Sequence, residues 1–170
     1  MSVDEHIEKI TLHDLVITPG HVDRKASAEF EKNVKRLKED GHYRCWLTGS
    51  TDNLQVHHFG AEWSLAALVD FEKLKEFCET FDPYGYGRLL KNQPMTGVDD
   101  IRNLLVLSQQ VHTGENKDDD NATGIHNLVF PMWIMQGLAK PGLIPVPQPG
   151  ETITAAMARI AGATKLKESA

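Results

Sequence analysis

The stretch Leu54-Gln-Val-His-His-Phe59, alternating directly after the turn-forming run Gly49-Ser-Thr-Asp-Asn53, most constrains what this chain can become. Alternation puts successive side chains on opposite faces of a strand, and Gly, Asn and Asp supply tight-turn chemistry. Because the β-prone run His42-Tyr-Arg-Cys-Trp-Leu-Thr48 precedes the turn, the expectation is a β-hairpin of 42–48 with 54–59. Around it the pattern is helical. Phe30, Val34 and Leu37 recur at helical spacing within 23–41, and Leu65, Leu68, Phe71, Leu74 and Phe77 do so within 62–80. Asp82-Pro-Tyr-Gly-Tyr-Gly87 breaks that pattern and opens an irregular loop to Gly97, and Asn103–Leu107 is a short apolar run leading into a helix over 108–112. Ile125–Leu138 is apolar and aromatic, with Phe130, Met132 and Trp133 read as core. The proline-rich stretch 140–150 reads as a connector to a last helix over about 152–166. The fold class expected is α+β: a small β-hairpin plus helix embedded in a mainly helical domain.

At 170 residues, with 41% hydrophobic and 25% charged residues, one compact domain with tails is expected. No apolar run approaches the ~20 residues that cross a bilayer, so no membrane partner is expected. The opening MSVDEHIEKI has no apolar signal core, so the expected location is cytoplasmic. Two cysteines, Cys45 and Cys78, make neither a disulfide framework nor a cysteine-built zinc site. The net charge of −6 is uneven: residues 45–139 carry 6 Lys or Arg against 13 Asp or Glu. An acidic middle repels a polyanion, so any nucleic-acid contact must come through local cations, a metal ion or a partner subunit.

The chemistry concentrates on histidine. In a strand the neighbours His57 and His58 face opposite ways, so one ring can ligate a metal while the other takes a proton from water. With eight histidines in the chain, an adjacent pair is a weak signal by itself. Asn103-Leu104, and His112 nine residues after that asparagine, strengthen it. Over about His42 to His126 the chain resembles the HNH, or ββα-metal, endonuclease family. The motif stands as Leu-Gln-Val-His57-His58-Phe, then Ile-Arg-Asn103-Leu-Leu-Val-Leu-Ser-Gln-Gln-Val-His112, then Gly-Ile-His126-Asn.

The resemblance implies that His57 is a metal ligand, His58 the general base and His112 the first helix ligand, with Asn103 holding the loop that orients His58. The usual next ligand position, four residues on, holds Asn116, and Ile125-His126 matches the Ile-His that ends the motif, so His126 is the third ligand implied. One divalent ion follows, Mg2+, Mn2+, Ni2+ or Zn2+. Many members also carry a four-cysteine zinc site; here the corresponding places hold Cys45, Thr48, Ser108 and Val111, so no structural zinc is expected, as in small, stand-alone, phage-type members. The implied organisation is one domain over 1–139, with a helical N-terminal segment over 1–41, a ββα-metal core over about 42–127 and an insertion over 60–100, followed by the connector and helix of 140–170. The implied activity is hydrolysis of DNA phosphodiester bonds. From the residues themselves, Arg102 is a candidate phosphate contact, and Tyr84, Tyr86, Arg88 and Lys91 read either as stacking and phosphate contacts or as a glycine-rich turn with surface charge. Asp118–Asp120 reads as a solvated loop. Two rival readings share the motif: an HNH-like binding protein without turnover, an inhibitor or anti-defence factor acting on a protein partner, and a histidine-rich structural metal module. Besides DNA, a protein partner or a homo-oligomer is compatible with the sequence.

Overall fold

The structure is a computed structural model that describes residues 17–19, 25–114, 124–125 and 137–168. Its sheet joins strand β1 (Leu54–His58) to strand β2 (Leu104–Ser108), antiparallel, with Leu54 opposite Ser108, Val56 opposite Val106 and His58 opposite Leu104. The expected first strand over 42–48 does not form. That segment folds into a tight turn instead, in which the Cys45 amide donates to Ser50 O at 2.7 Å and the Gly49 amide to Cys45 O at 2.8 Å. Gly49 sits at φ +72°, which favours glycine. The turn reaches the sheet through one backbone bond, from the Trp46 amide to Val106 O at 2.9 Å. The apolar run of β2 outcompetes it, since Leu104 to Leu107 are all buried while Trp46 and Leu47 remain about half exposed.

A two-stranded sheet is marginal in water unless its faces are covered. Helix α1 (Ala28–Glu39) serves one face: Leu37 clusters with Leu104, Val106, Ile101 and Tyr86, with Phe30 and Val56 packed against them. Ser27 caps α1, its hydroxyl accepting from the Phe30 amide at 3.0 Å. On the other face Leu105, Leu107 and Phe59 meet Leu65, Leu68, Leu74, Cys78 and Ile160.

The expected helix over 62–80 is broken in two. A 3₁₀ helix (Trp63–Leu68) stops at Val69, which is extended and bridges Ala139, and helix α2 (Phe71–Thr80) restarts from Asp70. Asp70 carries the break because its carboxylate accepts from the Glu72 and Lys73 amides, at 3.2 and 3.3 Å, as an N-cap does. The periodicity of apolar residues continues through the break, because both pieces face the same core.

Helix α3 (Tyr86–Leu89) is a single turn within the segment expected to be irregular, and a 3₁₀ turn (Ile101–Asn103) leads into β2. Helix α4 (Gln109–Thr113) follows β2 directly and ends at Gly114, φ +73°. The last helix, α5 (Ile153–Glu168), is close to the expected span and buries Ala156 and Ile160. Arg159 ties it to the proline-rich stretch: its Nε and Nη2 donate to Glu151, and Nη1 and Nη2 to the carbonyls of Gly142, Ile144 and Val146. The fold is mixed helix and strand, as expected for α+β. Among the described residues no helix is long and apolar enough to cross a membrane.

Candidate functional site

His57 and His58 end β1, and both are buried, at 1% exposure. Strand alternation sends their rings to different neighbours. His57 lies against His112 of α4, ring centroids 4.9 Å apart, whereas His58 lies against Phe30 of α1, ring centroids 5.7 Å apart. Glu62, in the turn after the strand, reaches both: Oε1 is 3.3 Å from His57 Nδ1 and Oε2 is 3.6 Å from His58 Nδ1.

The three rings meet different oxygens. His112 Nδ1 lies 2.7 Å from Gln55 Oε1, an acceptor two residues before His57 on the same strand face. A ring nitrogen opposite an amide oxygen carries the proton, so Nε2 of His112 holds the lone pair. His57 Nδ1 lies beside the Glu62 carboxylate, 3.3 Å from Oε1. His58 lies between two carboxylates, its Nε2 2.8 Å from Asp99 Oδ1 and its Nδ1 3.6 Å from Glu62 Oε2.

Asn103, fully buried, closes the turn that follows the histidine pair. Its Oδ1 accepts from the Gly60 and Ala61 amides at 2.9 and 3.2 Å, and its Nδ2 donates to the carbonyls of Ala61 and Val98 at 3.0 and 2.8 Å. The Phe59 amide adds a bond to Asn103 O at 3.0 Å. Glycine at 60 permits this approach, since a Cβ there would stand 2.7 Å from Leu74 Cδ1 and 2.9 Å from Asn103 Oδ1. All four hydrogen-bonding capacities of the carboxamide named here go to backbone groups, so the residue positions rather than titrates.

The expected phosphate contacts divide. Arg102 turns inward at 3% exposure, and its five N–H groups are all used: Nε and Nη2 grip Asp100 at 2.8 and 2.6 Å, Nη1 donates to Leu90 O and Gln93 O, and Nη2 also donates to Pro94 O. It is a clamp for the loop after α3 and has no donor left for a phosphate. Arg88 and Lys91 are exposed. Tyr86 is buried, its hydroxyl donating to Asp40 at 2.7 Å and its ring lying under the Arg36 guanidinium, and Tyr84 is half-buried, its hydroxyl accepting from the Val106 amide at 3.0 Å and its ring stacked on His42.

The place where the resemblance puts zinc ligands holds a hydrogen-bonded knot. Burial pushes the Cys45 thiol up, but hydrogen bonds with Thr48 and Ser108, through side chain and backbone alike, outweigh burial and bring it down to about 7. In contrast, burial pushes the Cys78 thiol well up, which leaves it inert.

Two functional candidates are not singled out by the sequence, Glu62 and Asp99. Their signal is present, a carboxylate four or five residues after the histidine pair and another four before Asn103, yet acidic residues are too common in this chain for spacing to distinguish them. Asp99 and Asp100 make this side of the site negative: burial first, then their charges, raise the carboxyl of nearby Glu29. A phosphate diester approaching here meets repulsion unless a cation intervenes.

The donor set of His57 and His112 fits a divalent ion of the imidazole-binding kind. In each ring Nδ1 lies beside an oxygen, Glu62 Oε1 at 3.3 Å for His57 and Gln55 Oε1 at 2.7 Å for His112, the side from which histidine ligands are oriented. Among the described residues no three His, Cys, Asp or Glu groups are arranged to hold a metal, so the pair needs a further ligand. His126, implied as that ligand, lies outside the described residues, as do Asn116, Asp118–Asp120, Phe130, Met132 and Trp133. Neither family models, nor curated proteins, nor solved structures give a match to this chain.

Proposed function

We propose that the chain is a metal-dependent endonuclease of the HNH, ββα-metal type that hydrolyses DNA phosphodiester bonds. The observation that supports it best is the division of labour at the end of β1. His57 meets His112 on one side, His58 meets Asp99 on the other, and Asn103 locks the turn between them. The order β1, Asn103, β2, α4 carries these residues in the succession of the family motif.

His57 and His112, with His126 as the third ligand, would hold one divalent ion, Mg2+, Mn2+, Ni2+ or Zn2+. Such an ion supplies charge neutralisation at the phosphoryl oxygens and at the departing 3′ oxygen. His58 takes the proton of the attacking water, and the carboxylates of Asp99 and Glu62 on either side of the ring stabilise the imidazolium that results. Asn103 keeps His58 from swinging, because the backbone that follows the ring is bonded on both its N–H and C=O sides. Exposed Arg88 and Lys91 are the cations available to the DNA backbone.

Full burial of the two rings is also what an HNH-like binding protein without turnover would show, and one experiment separates the readings. Purified protein is assayed on plasmid and single-stranded DNA with each of the four ions, alongside His58→Ala, His57→Ala and His112→Ala. The expected result is metal-dependent cleavage, lost in His58→Ala with metal affinity within a few fold, while His57→Ala and His112→Ala weaken both metal affinity and cleavage. Metal binding without cleavage by the unaltered chain would sink the nuclease reading in favour of the binding protein.

A further inference from the structure

We propose that an aromatic cavity on the sheet face of His57 and His112 takes an unpaired nucleobase, so that the strand this site handles is single-stranded DNA. The choice of strand rests on the nuclease reading; the cavity and its ligand do not. Trp46, Phe59, Phe81, Leu105 and Ile125 wall a space of about 450 Å3. That is within the roughly 300–1,000 Å3 of pockets that take small organic ligands, and it has room for a base with its sugar. Leu105 is paired with His57 across the ladder, and paired residues of an antiparallel sheet project from the same face. Phe59, directly after β1, clusters with Leu105, and His112 lies against His57. Cavity and imidazole pair therefore share one side of the sheet.

The chemistry of the walls selects the ligand. Trp46 is 52% exposed and Phe81 58%, large rings that the core has not taken up. Every base has a π-face, so such rings accept any base by stacking. The polar side chains of the cavity are engaged elsewhere: the Thr80 hydroxyl donates to Glu76 O at 3.0 Å, and the Asp82 carboxylate accepts from the Gly87 and Arg88 amides at 2.8 and 3.0 Å. Recognition is thus by ring face rather than by base edge, and the edges stay hydrated on the side where Trp46 and Phe81 reach solvent. Charge fits the same ligand. Exposed Arg88, its Nε 3.7 Å from Asp82 Oδ2, puts a cation at the rim, where the phosphate next to a held base would lie. An apolar peptide gains nothing from that cation, whereas an anionic backbone bearing flat rings uses cation and walls together.

The full chain is titrated, at low salt and with a chelator, against a labelled strand of about twelve thymidine nucleotides and against the same strand lacking its bases, with fluorescence anisotropy as the readout. No divalent ion is present, so nothing is cut and the outcome does not depend on cleavage. The strand with bases should bind about 10-fold or more tightly than the abasic strand, with tryptophan fluorescence quenched on binding. Trp46→Ala and Phe81→Ala should each weaken binding of the strand with bases by about 5- to 100-fold and leave the abasic strand within about twofold, because only stacking is lost. Trp46→Phe, which keeps a ring face, should lose less than Trp46→Ala. Both side chains are more than half exposed, so Tm of these variants should stay within about 2 °C of the unaltered chain. Equal affinity for the two strands, no affinity for the strand with bases, or unaltered binding by both alanine variants overturns the proposal. Self-association of the unaltered chain that Trp46→Ala abolishes also overturns it and gives the cavity to a second copy. Binding as expected without cleavage by any of the four ions removes the nuclease reading and leaves the cavity with its ligand.

Discussion

Replacing Asn103 by alanine tests whether the turn after the histidine pair is held by one side chain. The substitution removes four hydrogen bonds and leaves two amides and two carbonyls, those of Gly60, Ala61, Ala61 and Val98, without their partner in a fully buried place. An unsatisfied buried polar group costs about 1–3 kcal/mol. The space vacated is about that of one water molecule, whose entry would restore some of the pairing, so the low end applies to each group. Four groups then give a loss of about 4 kcal/mol, a large share of the roughly 5–15 kcal/mol that holds a domain together. At about 2–4 °C per kcal/mol for a chain of this size, Tm should fall by about 8–16 °C. Urea unfolding measures the loss, and amide hydrogen exchange locates it, with protection at Gly60 and Ala61 falling further than in β2. A loss under about 1 kcal/mol, or undiminished protection at those two amides, would refute the account of Asn103.

Arg102→Lys should destabilise the chain by about 2 kcal/mol, because three donors on a flexible stem cannot replace the five-donor fork, while DNA affinity of the folded protein stays unchanged. Urea unfolding and fluorescence anisotropy read the two effects, and weaker DNA binding in a fully folded variant would return Arg102 to the substrate. Cys45 predicts a pH dependence: its folded value of about 7 lies below the roughly 8.5 of an unfolded thiol, so its contribution is complete above the unfolded value and is lost as pH falls through 7. Tm should therefore rise between pH 7 and 9 more in the unaltered chain than in Cys45→Ser, with thiolate absorbance near 240 nm appearing around pH 7; equal slopes would contradict the hydrogen-bonded knot.

What is legible in the sequence is whatever local pattern determines. Alternation identifies β1 and the opposite orientation of His57 and His58, and helical spacing finds α1 and α5 but runs 62–80 together, where the chain makes a 3₁₀ helix and then α2. The partner of β1 is not local. Two runs, 42–48 and 104–108, are both β-prone, and an intervening turn favours the nearer one. The farther one wins because its four consecutive apolar residues can be buried on both faces, which the exposed Trp46 and Leu47 show the nearer run cannot match. Arg102 shows a different gap. A guanidinium beside Asn103 reads as a phosphate contact until the carbonyls of Leu90, Gln93 and Pro94 are seen around it, and nothing in their residue types announces them. Asp99 escapes notice for a similar reason, since its role depends on Ser27 and Asn33, more than sixty residues away.

The same long-range contacts explain how the long connection 59–103, which contains the insertion implied over 60–100, leaves the two strands paired. Closing a longer loop costs only slowly more, about 0.6 kcal/mol per doubling, so length itself is a small penalty. The larger risk is that the two ends of the insertion drift apart. Asn103 prevents this by joining the start of the insertion, Gly60 and Ala61, to its end, Val98, through one carboxamide. Arg102 then holds the middle, α3 and the turn after it, against the strand entry. Where the resemblance expects a metal to cross-link these segments, Cys45, Thr48 and Ser108 are joined by hydrogen bonds instead, and α1 and α5 close the two faces of the sheet. Each of these substitutes is weaker than a metal cross-link by itself. Together they fix the turn and the sheet faces around the histidine pair, the rigidity that the base and ligand proposed for these adjacent residues would require.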